Sequence, residues 1–273
     1  MPFVIDIDPV AFSVLGIQVR WYGLILVVAI AIAVWIAQRE AGRLGLSSQD
    51  VSDGAIWVGV AALAGGRLLF VLQNDLPALA EHPAHILMVW MGGLSFYGGL
   101  IGGAVALAIF ARRRGIPLLA VLDVAAPAAA IGQAIGHVGC LIGGDSYGIR
   151  TDVPWAVIYR NPAAMAPQGI PLHPTQAYEA ILLAMLFGTI WLSRHRLGRL
   201  GSGMTASAYL LGLAVIRFGL FFLRDEAPVL LGLKTAQWLG LGVAIGALAV
   251  FIVARGRSQS IQVQSMRSEG SRS

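Results

Sequence analysis

Stretches of almost unbroken apolar sequence recur along the chain, each parted from the next by a short polar segment. They cover roughly 21–37, 54–72, 86–110, 119–144, 176–193, 204–223 and 236–254. Their lengths lie near the ~20 residues that an α-helix needs to cross a bilayer, not near the ~10 alternating residues of a barrel strand. Lipid offers the backbone no hydrogen bonds, so only helices and closed barrels can span it, and run length selects helices. The pattern predicts an all-α integral membrane protein with seven transmembrane helices. A single polytopic domain is expected over 1–254. The tail 255–273, rich in Ser, Gln and Arg, is expected to be disordered and cytoplasmic. The first run starts at Trp21 without a basic region before it or a small-residue cleavage site after it, so it reads as a retained span. The chain has no fixed-period repeat and no second soluble domain.

Composition agrees: 57% of the 273 residues are hydrophobic and 12% charged, against about 25% charged in an average soluble domain. The formal charge of +5 would suit nucleic acid, but the placement of the basic residues points to topology instead. Segments 38–53, 111–118, 194–203 and 255–273 hold twelve Lys and Arg, including Arg112-Arg113-Arg114. The alternate segments, before 21, 73–85, 145–175 and 224–235, hold five. Basic loops stay in the cytoplasm, so the N-terminus lies outside, the C-terminus inside, and the long loop 145–175 outside. A single cysteine, Cys140, excludes an internal disulfide and any multi-cysteine metal site. No metal or other cofactor is expected.

Ionisable groups within spans are expensive, and each is a candidate site. At about 1.5 Å per residue, Arg67 and Glu179 lie about 8 Å below the outer ends of their spans, and His137 and Arg217 about 10 Å. Tyr97 lies deeper, around 16 Å. Taken singly, each arginine could snorkel or bond to carbonyls, and His137 could simply be packed. Together they describe a polar pocket open to the outer leaflet, with arginines suited to an anionic phosphate. Asp123, apart from this set, reads as a solvated helix-start residue. The glycine pairs Gly98-Gly99 and Gly102-Gly103 read chiefly as close helix packing.

Two local patterns go further. Gly136-His137-Val138-Gly139-Cys140-Leu141-Ile142-Gly143-Gly144-Asp145-Ser146-Tyr147-Gly148 leaves the fourth span. His173-Pro174-Thr175-Gln176-Ala177-Tyr178-Glu179 opens the fifth, and there Gln176 and Glu179, three apart, share a face. With Arg20-Trp21-Tyr22-Gly23, Gly66-Arg67, Ser95-Phe96-Tyr97-Gly98-Gly99 and Arg217 through Arg224, these segments resemble the bacterial prolipoprotein diacylglyceryl transferases over about residues 5–245. The resemblance implies seven spans in the bacterial inner membrane and a transferase of lipoprotein biosynthesis. Such an enzyme moves the diacylglyceryl group of phosphatidylglycerol onto the lipobox cysteine of an exported prolipoprotein and releases glycerol phosphate. Its partners are then phosphatidylglycerol, the lipobox of the signal peptide and the bilayer, with no nucleic acid.

The same resemblance marks departures. Tyr97 stands where the family has a histidine, His137 and Cys140 replace an arginine and an asparagine, Asp145 replaces a glutamate, and Phe221 replaces a further glutamate. The resulting expectation is that Arg67, Arg217 and Arg224 hold the lipid phosphate while Glu179 orients an arginine. His137, also in the substrate-binding set, is the leading candidate base or hydrogen-bond donor, His173 the second, and Tyr97 keeps the family's catalytic position. Tyr22, Cys140, Asp145, Gly148 and Gln176 complete the substrate-binding set. Cys140 as a covalent nucleophile is the weaker reading, because a buried lone cysteine is usually packing. A lipid-binding or transport protein of the same fold would fit the spans and the polar pocket equally, although no inverted repeat supports transport. Asp50-Val51-Ser52-Asp53-Gly54 resembles the start of a phosphotransferase motif, but the downstream aspartates are missing.

Overall fold

A computed structural model describes residues 2–14, 16–74 and 94–270. Among them are seven helices: α1 (Trp21–Arg43), α2 (Ser48–Asn74), α3 (Phe96–Arg113), α4 (Leu118–Gly143), α5 (Thr175–Leu200), α6 (Met204–Leu220) and α7 (Thr235–Gly270). Each apolar stretch coincides with one helix. Residues 75–93 lie outside the description, and with them most of the expected loop 73–85, His82 and His85, and the start of the third stretch. Five helices (α1, α2, α4, α5 and the Thr235–Ile252 part of α7) are long and apolar enough to cross a membrane, while α6 is a shorter apolar helix. Their outer faces expose large aliphatic residues such as Leu192, Val215 and Ile245. Apolar exposure on this scale belongs against lipid, and these are the helices of an integral membrane protein. Helix α7 continues as far as Gly270. That stretch contains no proline, and Gln, Arg and Met are adequate helix formers.

Local signals account for the helix ends. After α1, Gly45 takes φ +74° and Leu46 N–H returns to Ala41 O at 2.9 Å, closing the helix on a left-handed glycine. Ser47 then caps α2, its Oγ accepting from Asp50 N–H at 3.0 Å. Ser95 caps α3 through Gly98 N–H, and Gly115, at φ +66°, ends it.

The chain forms two compact units, Met1–Ala37 with Leu122–Ser273, and Gln38–Val121. In the second, α2 and α3 meet backbone to backbone along Ala61, Gly65, Gly98 and Gly102. A Cβ on Gly98 would fall 2.7 Å from Leu69 Cβ and closer still to Gly65 O. Gly98→Ala is therefore expected to cost about 1–3 kcal/mol through overpacking, read as a lower Tm in detergent. Gly103→Ala is the control, because its Cβ would meet its nearest neighbours, Val58 Cγ1 at 3.4 Å, Ala62 Cβ at 3.7 Å and Val58 O at 3.9 Å, at ordinary contact distance.

In the first unit α6 packs against both α5 and α7. Asp123 corrects the sequence reading. It is buried, and its carboxylate accepts from Gly203 N–H (2.6 Å) and Ala206 N–H (2.8 Å), capping α6 from another helix. Gly203 has no side chain with which to cap, so a carboxylate brought by α4 meets the orphan donors. Two short sheets were not anticipated. Strand β1 (Phe3–Ile5) pairs parallel with β4 (Val157–Tyr159), which pairs antiparallel with β5 (Pro171–Leu172). Strands β2 (Val10–Val14) and β3 (Ile17–Arg20) form a hairpin leading into α1. Val157, Tyr159, Ala166 and Leu172 give the loop between α4 and α5 its own small core.

Candidate functional site

Pro174 precedes the first residue of α5, and Thr175, Gln176 and Glu179 in its opening turns are fully buried. The Glu179 carboxylate is shared. Its Oε1 lies 3.3 Å from His137 Nε2 and 3.3 Å from Arg217 Nε, and its Oε2 lies 2.5 Å from Arg224 Nη2. Helices α4 and α6 and the turn after α6 thus converge on one acid from α5. An unpaired buried carboxylate would be untenable, whereas three partners compensate its desolvation. Two guanidiniums against one carboxylate leave this set with formal positive charge. The Arg224 guanidinium also lies over the Phe221 ring, with Cζ 5.0 Å from the centroid, so an aromatic face supports the cation.

Several buried polar atoms of this cluster have no hydrogen-bond partner among the described residues: His137 Nδ1, Arg224 Nε, Asp145 Oδ1 and Gln176 Oε1. His137 Nε2 faces the Glu179 carboxylate, so Nδ1 is the ring nitrogen left without a partner among the described residues. This is the carboxylate–imidazole arrangement that prepares a base.

The floor is a hydrogen-bonded loop. Gln176 Nε2 donates to Asp145 O at 2.5 Å and to Tyr159 OH at 3.4 Å, and Thr175 Oγ1 donates to Ser146 O at 2.7 Å. Tyr159 OH donates to Leu141 O at 2.9 Å, and burial raises its pKa, so it stays a neutral donor. Cys140 sits within hydrogen-bond reach of the Asp145 side chain, and Tyr22 packs on Gly139 beside them. Gly148 is wedged between two segments: its N–H donates to His173 O at 3.0 Å, and a Cβ there would lie 2.7 Å from both His173 Cβ and Leu223 O. Only glycine lets the strand before α5 approach the turn that carries Arg224.

His173 is half-buried. Its Nδ1 lies 3.3 Å from Tyr178 OH, which accepts from Trp155 Nε1 at 2.6 Å. Burial lowers the His173 pKa from its usual 6.5. A depressed histidine pKa means that the unfolded chain takes up the proton first, so stability is full above pH 6.5 and falls as pH drops below it. We expect the detergent Tm to fall on acidification from pH 7 to 5 by less in His173→Asn than in the unsubstituted protein. Equal pH slopes would remove this assignment.

Arg67 and Tyr97 belong to the unit Gln38–Val121. Arg67 is buried on α2 with its guanidinium 5.8 Å from the Phe70 ring, next to Gly66, whose carbonyl accepts from Ser95 N–H at 2.9 Å. Tyr97 follows two residues later, in the first turn of α3. Asp50 and Asp53 pair with Arg114 at 3.1 and 2.5 Å, which gives both aspartates of the phosphotransferase-like stretch a structural partner. Sequence reasoning missed Tyr159, Trp155 and Lys234, because the strand and turn that deliver them carry no motif.

The chain matches a family described as prolipoprotein diacylglyceryl transferase over residues 9–253. It is 38% identical over 242 residues, covering 87% of this chain and 88% of the relative, to a phosphatidylglycerol–prolipoprotein diacylglyceryl transferase of Azotobacter vinelandii. A protein of the same name from Rhizobium leguminosarum bv. trifolii is 33% identical over 279 residues, covering 95% of each chain. Another from Nitratidesulfovibrio vulgaris is 36% identical, covering 86% of this chain and 87% of the relative. A seven-helix membrane fold, a buried acid shared by basic groups, and similarity along nearly the whole chain therefore agree: this protein belongs to the prolipoprotein diacylglyceryl transferase family.

Proposed function

We propose that the protein transfers the diacylglyceryl group of phosphatidylglycerol to the thiol of a prolipoprotein lipobox cysteine. In this reading it crosses the bacterial inner membrane seven times with its N-terminus outside, and its site faces the outer leaflet. The observation that carries the reading is the set of open valences around Glu179: a buried imidazole Nδ1 and a buried guanidinium Nε beside two buried acceptor oxygens. A phosphoglycerol headgroup matches it. Phosphate oxygens suit Arg217 and Arg224, and the glycerol hydroxyls suit Asp145 and Gln176. Tyr22, Cys140 and Gly148 line the approach.

The thiol must lose its proton before it attacks, because the thiolate is the nucleophile. His137 Nδ1 accepts that proton while Nε2 faces Glu179, with His173 as the other candidate group. The carbon–sulfur bond then forms at the glyceryl carbon bearing the phosphate ester. The carbon–oxygen bond breaks, and glycerol phosphate leaves with its developing charge on the arginines. The direct test incubates purified protein with phosphatidylglycerol and a lipobox peptide and follows the peptide's mass by the diacylglyceryl increment. The replaced family residues, Tyr97 and His137 above all, favour one rival: a protein that binds the lipid without turning it over. Phosphatidylglycerol-dependent thermal stabilisation with no mass gain would select it.

A further inference from the structure

The last carbonyls of a helix have no partner within it, and at the end of α6 they are taken by the start of α7. Lys234 Nζ donates to Phe221 O and to Arg224 O, each at 2.5 Å. Gln237 Nε2 donates to Phe218 O at 3.0 Å, and its Oε1 accepts from Lys234 N–H at 2.9 Å. Gln237 is 1% exposed, so this clamp is built into the interior. A cation at a helix C-terminus is favoured by the helix dipole as well as by these bonds. From the other side, Ile149 N–H donates to Leu223 O at 2.8 Å and Asp225 N–H to Tyr147 O at 3.4 Å. The peptide that carries Arg224 is therefore gripped between the loop at 147–149 and Lys234, while its side chain lies on Glu179.

We propose that Lys234 is a positioning residue for Arg224, fixing where the guanidinium meets the anionic lipid headgroup and so setting affinity for that lipid. The inference rests on the functional reading above. A guanidinium reaches an anion productively only from one backbone position, and a shift of about 1 Å at such a group can cost about 10²-fold. Lys234 bonds to the peptide of Arg224, so its effect should fall chiefly on lipid affinity and less on kcat, because Arg217 shares the developing charge of the leaving phosphate.

The test measures transfer with saturating lipobox peptide while the mole fraction of phosphatidylglycerol in mixed micelles is varied. Lys234→Met, which keeps the stem and removes the donors and the charge, should raise KM for phosphatidylglycerol about 10-fold and leave kcat within about 3-fold. Lys234→Arg should recover most of the affinity. If Lys234→Met does not fold, Lys234→Gln takes its place. An unchanged KM, or a loss confined to kcat together with a lower Tm, would overturn the proposal, because that is how a merely structural lysine behaves. If the unsubstituted protein transfers nothing, the functional reading itself fails. The proposal is then judged by the thermal shift that phosphatidylglycerol produces over phosphatidylcholine. Equal shifts with and without Lys234 overturn it, and a smaller shift in Lys234→Met upholds it.

Discussion

Glu179→Leu is expected to abolish transfer and to destabilise the protein by about 3–5 kcal/mol, the range for removing one partner of a buried ion pair. The carboxylate is fully buried and has His137, Arg217 and Arg224 around it. Without it, two guanidiniums would lose the carboxylate they share, and like charges close together in a low-dielectric interior repel strongly. The imidazole would also lose the acceptor that orients it. A second substitution separates these effects. Arg224→Met on the Glu179→Leu background should recover part of the stability, because one uncompensated charge is gone, and should recover no activity. Detergent Tm and the peptide mass-gain assay read the two quantities independently. A Glu179→Leu protein with unchanged Tm would mean that the cluster does not carry the interior of this unit.

The second large effect is expected at His137. His137→Ala should lower kcat by about 10²–10⁴-fold, the usual contribution of a general base. The ring faces the Glu179 carboxylate through Nε2, 3.3 Å from Oε1, while its buried Nδ1 has no partner among the described residues and is the nitrogen left to take the thiol proton. Tyr97→Phe is the necessary comparison, since Tyr97 stands where the family's histidine stands. A phenol with an ordinary pKa near 10 is a poor base at neutral pH, so this variant should stay within about 10-fold of the parent. If Tyr97→Phe alone abolished transfer, the base would be misassigned to His137.

Much of the site was legible one helix at a time. Similar depth below the outer span ends already grouped Arg67, His137, Glu179 and Arg217, of which the last three meet on one carboxylate, and the i, i+3 spacing placed Gln176 with Glu179. Both inferences follow from helix rise and period, which are independent of partners. Contacts made through irregular backbone were not legible. Arg224 reaches Glu179 from a turn, Gln176 is tied to Asp145 O, and Gly148 fits against His173 because no Cβ intervenes. Asp123 shows the same limit from the other side. Placed by sequence at a solvated helix start, it is buried because the capless Gly203 end of another helix needs a carboxylate.

The chain by itself determined that it is a helical membrane protein and where its apolar helices fall. Hydrocarbon tolerates only apolar side chains on a self-satisfied backbone, and that requirement is written in consecutive residues. It also marked which ionisable residues are candidates for the chemistry. The tertiary structure alone decided that one carboxylate, Glu179, is shared by an imidazole and two guanidiniums, that the free imidazole nitrogen is Nδ1, and that Lys234 holds the peptide behind Arg224. These contacts join residues far apart in the chain, and their geometry depends on how helices and turns pack, which no local pattern of residues encodes.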